Sequence, residues 1–311
     1  MQLYARRTFI TGLVGVILIA WLALLASSNI GPGTVYMTHS RHHPVKPFEF
    51  PAGGRILAST YRFVALYGYP GSSVLGILGH QPMAQTIDKA KQLATEYQPL
   101  STQPIYPTLE IITTVAAGDP TSDGNYSREV DPATLVPWIQ AAQKAGVYVV
   151  LDLQPGRTDF LTQAKQYESL LTAPNVGLAL DTEWRLGPNQ LPLEQIGSVD
   201  ASEINSVAAW LSGLTNSHKL PQKLLLLHQF RLDMIINRAA LNTSYDNLAY
   251  MIQMDGQGSQ PAKQSTWRTI TADAPAKFNF GWKNFYDKDS PMLSPADTMT
   301  ITPQPWYISY Q

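Results

Sequence analysis

Asp181 and Glu183 stand two residues apart at the end of the run Val176-Gly-Leu-Ala-Leu-Asp-Thr-Glu183. In an extended strand, residues i and i+2 point to one face, with Cα atoms about 6.6 Å apart. Carboxyls held that close push one another's proton affinity up. One stays protonated as a general acid and the other stays charged, an arrangement suited to glycosidic cleavage. Other apolar runs end in the same way. Val147–Gln154 closes on Asp152 and Gln154, Leu248–Asp255 closes on Gln253 and Asp255, and Lys223–Phe230 carries His228. If Val176, Leu178 and Leu180 face outward, alternation turns Asp181 and Glu183 inward. The same parity sends Asp152, Gln154, Gln253, Asp255 and Lys283 inward, with Asn279, and places Glu110 inward but deep. Burying unpartnered carboxylates is costly, so purely structural strand ends would favour apolar residues.

These ends need a frame that gathers them. Apolar runs of strand length cover Phe63–Tyr69, Thr108–Ala116, Val147–Gln154, Val176–Glu183, Lys223–Phe230, Leu248–Asp255, Phe278–Tyr286 and Trp306–Tyr310. Helical patterns lie between most of them: Pro82–Tyr97, a helix from Asp131-Pro132 to Gly146, Asp159–Leu171, a helix opened by the capping box Asp200-Ala-Ser-Glu203, Leu232–Leu241 and Pro261–Thr271. Eight strands alternating with helices over about 250 residues fit a closed (β/α)8 TIM barrel, whose active sites sit at the C-terminal ends of the strands. A doubly wound open sheet is the alternative, but no G-x-G-x-x-G or Walker sequence occurs. A helix covering the eighth strand is expected to be missing or supplied by the segment 29–54.

An Asp-x-Glu ending the fourth strand of a barrel resembles the family-18 chitinases and the family-25 lysozymes. The resemblance implies that Glu183 protonates the leaving oxygen and that Asp181 is its helper. Gln253-Met254-Asp255 is similar in position to the Met-Tyr-Asp of the chitinases, and Trp306 resembles the tryptophan that floors their subsite. The likeness covers an architecture and a tripeptide. Val176 and Ala179 stand where the chitinase motif carries further aspartates, and Leu151-Asp152-Leu153-Gln154 replaces its Ser-x-Gly-Gly. Tyr67-Gly68-Tyr69 occupies the place of the first-strand aspartate of the lysozymes. Asp152, one strand spacing of about 4.8 Å from Asp181, is expected to stand in for the missing aspartates.

The expected site therefore has Glu183, Asp181 and Asp152 as catalytic residues. Asp255, Gln253, His228, Gln154, Trp184, Tyr69 and Lys283 are expected to hold a sugar, with Trp184 as a wall. Arg157 and Arg185 follow the third and fourth strands, where they neutralise carboxylates or meet an anionic substrate group. His228 with Asp152, Asp181 and Asp255 offers a competing chemistry, a metal-dependent barrel hydrolase. No H-x-H or H-E-x-x-H occurs, so no metal and no cofactor are expected. A non-catalytic carbohydrate-binding barrel would carry the same residues.

Composition narrows the rest. Lys and Arg number 22 against 23 Asp and Glu, with formal net charge -1 and no cysteine. Without a basic excess, nucleic acid is not an expected partner. Disulfides, thiolate catalysis, cysteine metal sites and lipoprotein acylation are excluded. An apolar run at 9–26 follows Arg6 and Arg7 and is about long enough to span a bilayer. The arginines favour N-in, C-out insertion, and Arg6-Arg7-Thr8-Phe9-Ile10 is similar to a twin-arginine export signal. Residues 1–28 are read as a signal anchor or signal peptide, 29–58 as an arm carrying His39, His42 and His43, and 59–311 as the barrel. The expected protein is a monomer with its bulk outside the cytoplasm, on the cell membrane or secreted if the segment is cleaved.

Overall fold

The computed structural model describes residues 47–311. The expected membrane segment and the three clustered histidines lie outside that range. Among the described residues no helix is long and apolar enough to cross a membrane.

Eight strands form the frame: β1 (Arg62–Gly68), β2 (Ile105–Ala116), β3 (Tyr148–Leu153), β4 (Val176–Asp181), β5 (Lys223–His228), β6 (Leu248–Met254), β7 (Asn279–Asn284) and β8 (Tyr307–Tyr310). Each runs parallel to its sequence neighbours, and β8 returns to β1 with Tyr307 opposite Phe63, closing the barrel. The strands are buried almost throughout, as expected where helices cover the outer face.

Seven helices pack outside: α1 (Met83–Tyr97), α2 (Pro132–Ala145), α3 (Phe160–Gln166), α4 (Glu168–Leu171), α5 (Ala201–Ser217), α6 (Gln260–Thr271) and α7 (Pro295–Thr298). In α1 the buried Ile87, Ala90, Ala94 and Tyr97 fall at three- and four-residue spacing, one face of a helix. Asp131 caps α2 through the Ala133 amide at 2.9 Å, Pro132 opens it, and Gly146 ends it at φ 70°, a left-handed position that suits glycine.

Three local expectations change. The helix expected over Asp159–Leu171 is two helices broken at Tyr167, whose hydroxyl donates to the Thr113 carbonyl at 2.7 Å. Asp200 caps α5 at the Ser202 amide, but Glu203 does not close a capping box. Its carboxylate accepts instead from the Phe160 amide and from Arg185, both at 2.9 Å. Leu232–Leu241 is not one continuous helix but two 3₁₀ turns, Leu232–Met234 and Arg238–Ala240, with a short strand between them. Ile235–Ile236 pairs as a short strand with Val199–Asp200, and Asn237 follows at φ 57°, which interrupts helical geometry. The fifth crossover is therefore irregular, and no helix follows β8 among the described residues.

Two clusters divide the core. One lies between barrel and helices and takes the outward strand residues Val64, Leu66, Val149, Leu151, Leu178 and Leu180. The other fills the lower barrel with Phe63, Ala65, Tyr106, Tyr148, Ala179, Leu224 and Tyr307. Phe50 and Leu57, from the segment read as an arm, join this second cluster and close the barrel floor.

Candidate active site

The alternation that fills the lower barrel with aromatic and aliphatic groups brings polar side chains to its upper end. Glu110, Asp152 and His228 are fully buried there, and Asp181 is 3 % exposed. Above them opens a cavity of about 670 Å³, lined by Tyr67, Gln154, Asp181, Glu183, Trp184, Asp255 and Lys283, with Phe230 and Phe285 among its apolar walls.

Each group is held by its own element. Asp181 is the last residue of β4 and lies in register with His228 on β5. The strand stops there, so Glu183 sits in a 3₁₀ turn, Thr182–Trp184, and not on the strand itself. The turn is tied at both ends. The Thr182 hydroxyl donates to the His228 carbonyl at 2.7 Å, and the Gly197 amide donates to the Glu183 carbonyl at 2.7 Å. A Cβ at Gly197 would meet the Glu183 and Arg185 carbonyl oxygens at 2.5 Å, so this approach requires glycine.

His228 links the layer. Its Nδ1 lies 2.9 Å from Asp255 Oδ2, and its Nε2 lies 2.8 Å from Glu110 Oε1. Glu110 also accepts from the Tyr307 hydroxyl at 2.9 Å, and Asp152 accepts from the Tyr67 hydroxyl at 2.9 Å. Gln154 donates to the Tyr67 oxygen at 3.3 Å, and Lys283 Nζ sits 3.4 Å from the centre of the Tyr67 ring.

Proton affinities diverge within this cluster. Burial, then the charge of Asp255, pushes the Glu183 carboxyl up to about 7, against opposition from Lys283 and His228. Burial raises Asp181 well above the carboxylate range. His228 opposes the rise, and Asp152, Asp255 and Glu183 add to it. Asp152 is raised to about 6, again mainly by burial. Asp255 moves the other way: burial would raise it, but the charge of His228 and the hydrogen bond to it bring it below the usual range. Protonated and ionised carboxyls thus stand side by side, the division of labour that acid–base catalysis needs.

The expected site residues sort into three positions. Asp181, Glu183, Asp255, Gln154, Trp184 and Lys283 line the cavity. Asp152, His228 and Gln253 lie beneath its surface. Asp152 and Gln253 are both 0 % exposed, and Gln253 donates to the Ser309 hydroxyl. Tyr69 lies elsewhere, because β1 ends at Gly68 and alternation ends with it. Its ring folds over Gly71 in a neighbouring groove beside Trp138, and Tyr67 takes the cavity position. Trp306 is at the opposite end of the barrel, with its ring 4.9 Å from that of Phe63, and floors no subsite. Neither arginine reaches the cavity. Arg185 pairs with Glu203 at 2.9 Å, and Arg157 lies over the Tyr126 ring and donates to the Gln190 carbonyl. Tyr67 and Tyr307 were missed, although the inward parity of Phe63 on β1 and the register of Tyr307 with it mark both.

Two groups come within divalent-ion spacing, Asp181–His228–Asp255 and Glu110–Asp152–His228, their ligand atoms all within 4.8 Å. Both depend on His228, whose nitrogens are already engaged by carboxylates. A ligating nitrogen would exchange one of those bonds for the ion and keep the other carboxylate as partner of its remaining N–H.

The fold and site define a class: a parallel, closed eight-stranded barrel with a carboxyl-rich cavity at the C-terminal ends of its strands. No family model and no curated protein matches the chain. Its structural neighbours include family-18 glycoside hydrolase-like barrels. One is a xylanase–amylase inhibitor protein, 15% identical with TM-score 0.46, covering 80% of this chain and 92% of that one. Another is a chitinase from Ipomoea carnea, 14% identical with TM-score 0.45, covering 79% and 93%. A dihydropteroate synthase from Vibrio fischeri is also similar, at 10% identity and TM-score 0.37, covering 82% and 88%. Likeness at this level concerns the barrel and says nothing of the reaction.

Proposed function

We propose that the protein is a glycoside hydrolase that acts on an envelope or extracellular glycan, with Glu183 as the proton donor. The observation that carries this reading is the position and proton affinity of Glu183. It lies on the cavity wall in a partly water-excluded turn, its carboxyl is pushed up to about 7, and ionised Asp255 and buried Asp181 lie close by. A group with that affinity is protonated in mildly acidic solution and can deliver its proton to a glycosidic oxygen. Trp184, Phe230 and Phe285 supply apolar faces for a sugar ring, and Gln154 and Lys283 supply donors for its hydroxyls. Asp181 and Asp255 provide the carboxyl and the charge that face a developing positive sugar. An extracytoplasmic substrate follows from the expected export segment at residues 9–26.

The test is hydrolysis of a panel of cell-wall and storage glycans by the wild-type chain and by Glu183→Gln. We expect kcat to fall on the order of 10² to 10⁴-fold in the variant. We expect wild-type activity to decline above about pH 7, as Glu183 gives up its proton. A variant that keeps the full rate removes Glu183 from the role of acid. A glycan bound but never cleaved would make the barrel a binding protein.

A further inference from the structure

We propose that His228 is a positioning residue, a buried imidazolium strung between Asp255 and Glu110 that holds the Asp255 carboxylate fixed and ionised at the cavity wall. The proposal deepens the acid–base reading of the cavity and rests on it for its consequence, though its first test does not.

The argument begins with hydrogen-bond bookkeeping. A neutral imidazole has one N–H donor and one bare nitrogen, whereas an imidazolium has two donors. His228 presents both nitrogens to carboxylate oxygens, Nδ1 to Asp255 at 2.9 Å and Nε2 to Glu110 at 2.8 Å. A neutral ring would set a lone pair against one of them unless that carboxyl were protonated. Glu110 accepts the Tyr307 hydroxyl on Oε2, so Oε1 is left to meet Nε2, and charge-assisted bonds at both ring nitrogens require the ring to carry two protons. The ring has no exposed surface, so water cannot repair a mismatched contact.

Every neighbouring strand faces the ring with a charged or titratable group. Glu110 comes from β2, Asp152 from β3 with Oδ1 3.6 Å from Nε2, and Asp181 from β4 in register with it. Asp255 follows β6, Tyr67 of β1 stands edge-on at 6.0 Å, and Tyr307 of β8 closes the chain through Glu110. Lys283 of β7 is turned onto the Tyr67 ring. His228 is thus the cation bonded directly to this set of acids. Burial alone would lower its proton affinity, but Asp255, Asp181 and the bonds to Asp255 and Glu110 raise it well above the ordinary histidine value. With Asp255 fixed in this way, the exchangeable proton is left to the carboxyls that lack a cation of their own, Asp181 and Glu183.

The decisive measurement is the ¹⁵N spectrum of the histidine side chains in the full chain, with the His228 signals identified by their loss in His228→Gln. We expect both ring nitrogens to be protonated at about pH 7 and above, where an ordinary histidine, titrating near 6.5, is neutral. A ring that is neutral at pH 7 overturns the proposal whatever the protein hydrolyses. The second measurement needs the glycan substrate. In His228→Gln we expect kcat to fall roughly tenfold or more with KM retained, the sign of an interaction lost in the transition state. The alkaline limb of the pH profile should move upward, because the cation opposing protonation of Glu183 and Asp255 is gone. A limb that does not move overturns the positioning role. Where His228→Gln alone fails to fold, the double variant with Asp255→Asn should recover folding, since it removes the charge left without a partner. If the double variant is no more stable than the single one, the pair is not coupled. Loss of Glu183-dependent hydrolysis with an intact imidazolium signal would count against the enzyme assignment and leave this one standing.

Discussion

The lower and upper halves of the barrel are built from the same strand positions and do opposite things. On β1 the inward residues run from Phe63 to Tyr67, on β2 from Tyr106 to Glu110, on β3 from Tyr148 to Asp152, and on β5 from Leu224 to His228. Below, Phe63 packs its ring 5.5 Å from Tyr148 and 5.7 Å from Tyr106, and Phe50 and Trp306 close the floor around it. Above, the same four-residue step lands on acids, a histidine and a hydroxyl. There Asp152, Asp181 and Asp255 each have one buried carboxyl oxygen that no protein group hydrogen-bonds. Such atoms are costly in a low-dielectric interior. The lower half stabilises the fold and the upper half draws on that stability, which is how a protein maintains a poised, poorly satisfied site.

The sharpest way to break this comparison is to damage the lower half. Phe63→Ala removes a fully buried ring at the centre of the aromatic cluster. It should destabilise the chain by about 3–5 kcal/mol, the range for truncating a buried aromatic in a core that relaxes only partly. Denaturant unfolding measures the loss, and a cost under about 1 kcal/mol would mean that the lower cluster is not where stability resides. The same truncation aimed at Trp184, which is half-buried on the cavity wall, should cost much less.

This division was partly legible in the sequence. Strand alternation alone sends Asp152, Asp181, Asp255 and Lys283 inward, because a period of two admits only two answers and the apolar partners choose between them. Alternation stops informing where a strand stops. Glu183, Asp255, Gln154 and Tyr69 all lie beyond their strand ends; the first three remain in the cavity, Glu183 because the Gly197 contact fixes its turn, and Tyr69 does not. Trp306 was misplaced for a different reason. It precedes the strand β8 and so belongs to the floor, a distinction that a run of apolar letters does not make. The helix expected over Leu232–Leu241 had suitable apolar spacing, but Ile235 and Ile236 found a strand partner that no local pattern reveals. His228 was visible as a strand-end histidine. Its two carboxylate contacts come from residues 118 and 27 positions away in sequence, so only the closed barrel shows them.

The second way to sharpen the comparison is to follow stability against pH. Glu183, Asp152 and Asp181 take up protons more readily in the folded barrel than in the unfolded chain. The native state therefore binds more protons above the ordinary carboxylate range, and stability falls as pH rises through the folded values. Between about pH 5 and 8 the upper half should therefore lower stability as pH rises. Asp255 acts in the opposite sense, but only as pH drops toward its own lowered value. Asp181→Asn should flatten the decline and raise Tm at pH 8, measured by thermal unfolding across that range. A decline as steep as in the wild type would show that Asp181 is not among the groups responsible.

The lower rim supplies the smallest and most specific contrast. Lys223 begins β5, fully buried, with Nζ donating to the Ala173 and Val176 carbonyls at 2.9 and 2.7 Å. Burial lowers its proton affinity to about 7, while the unfolded chain keeps the ordinary value of 10.5. Between those values the unfolded state binds more protons, so stability must rise with pH across that window, opposite in sign to the carboxyl layer above. From pH 7 to 8 the gain should be on the order of 1 kcal/mol. In Lys223→Met the rising limb should disappear while the falling limb due to the cavity remains, because the two sets of groups lie at opposite ends of the barrel and distant sites contribute independently. If the substitution also reshapes the falling limb, the two halves are coupled, and the separation between a stabilising floor and a reactive mouth does not hold.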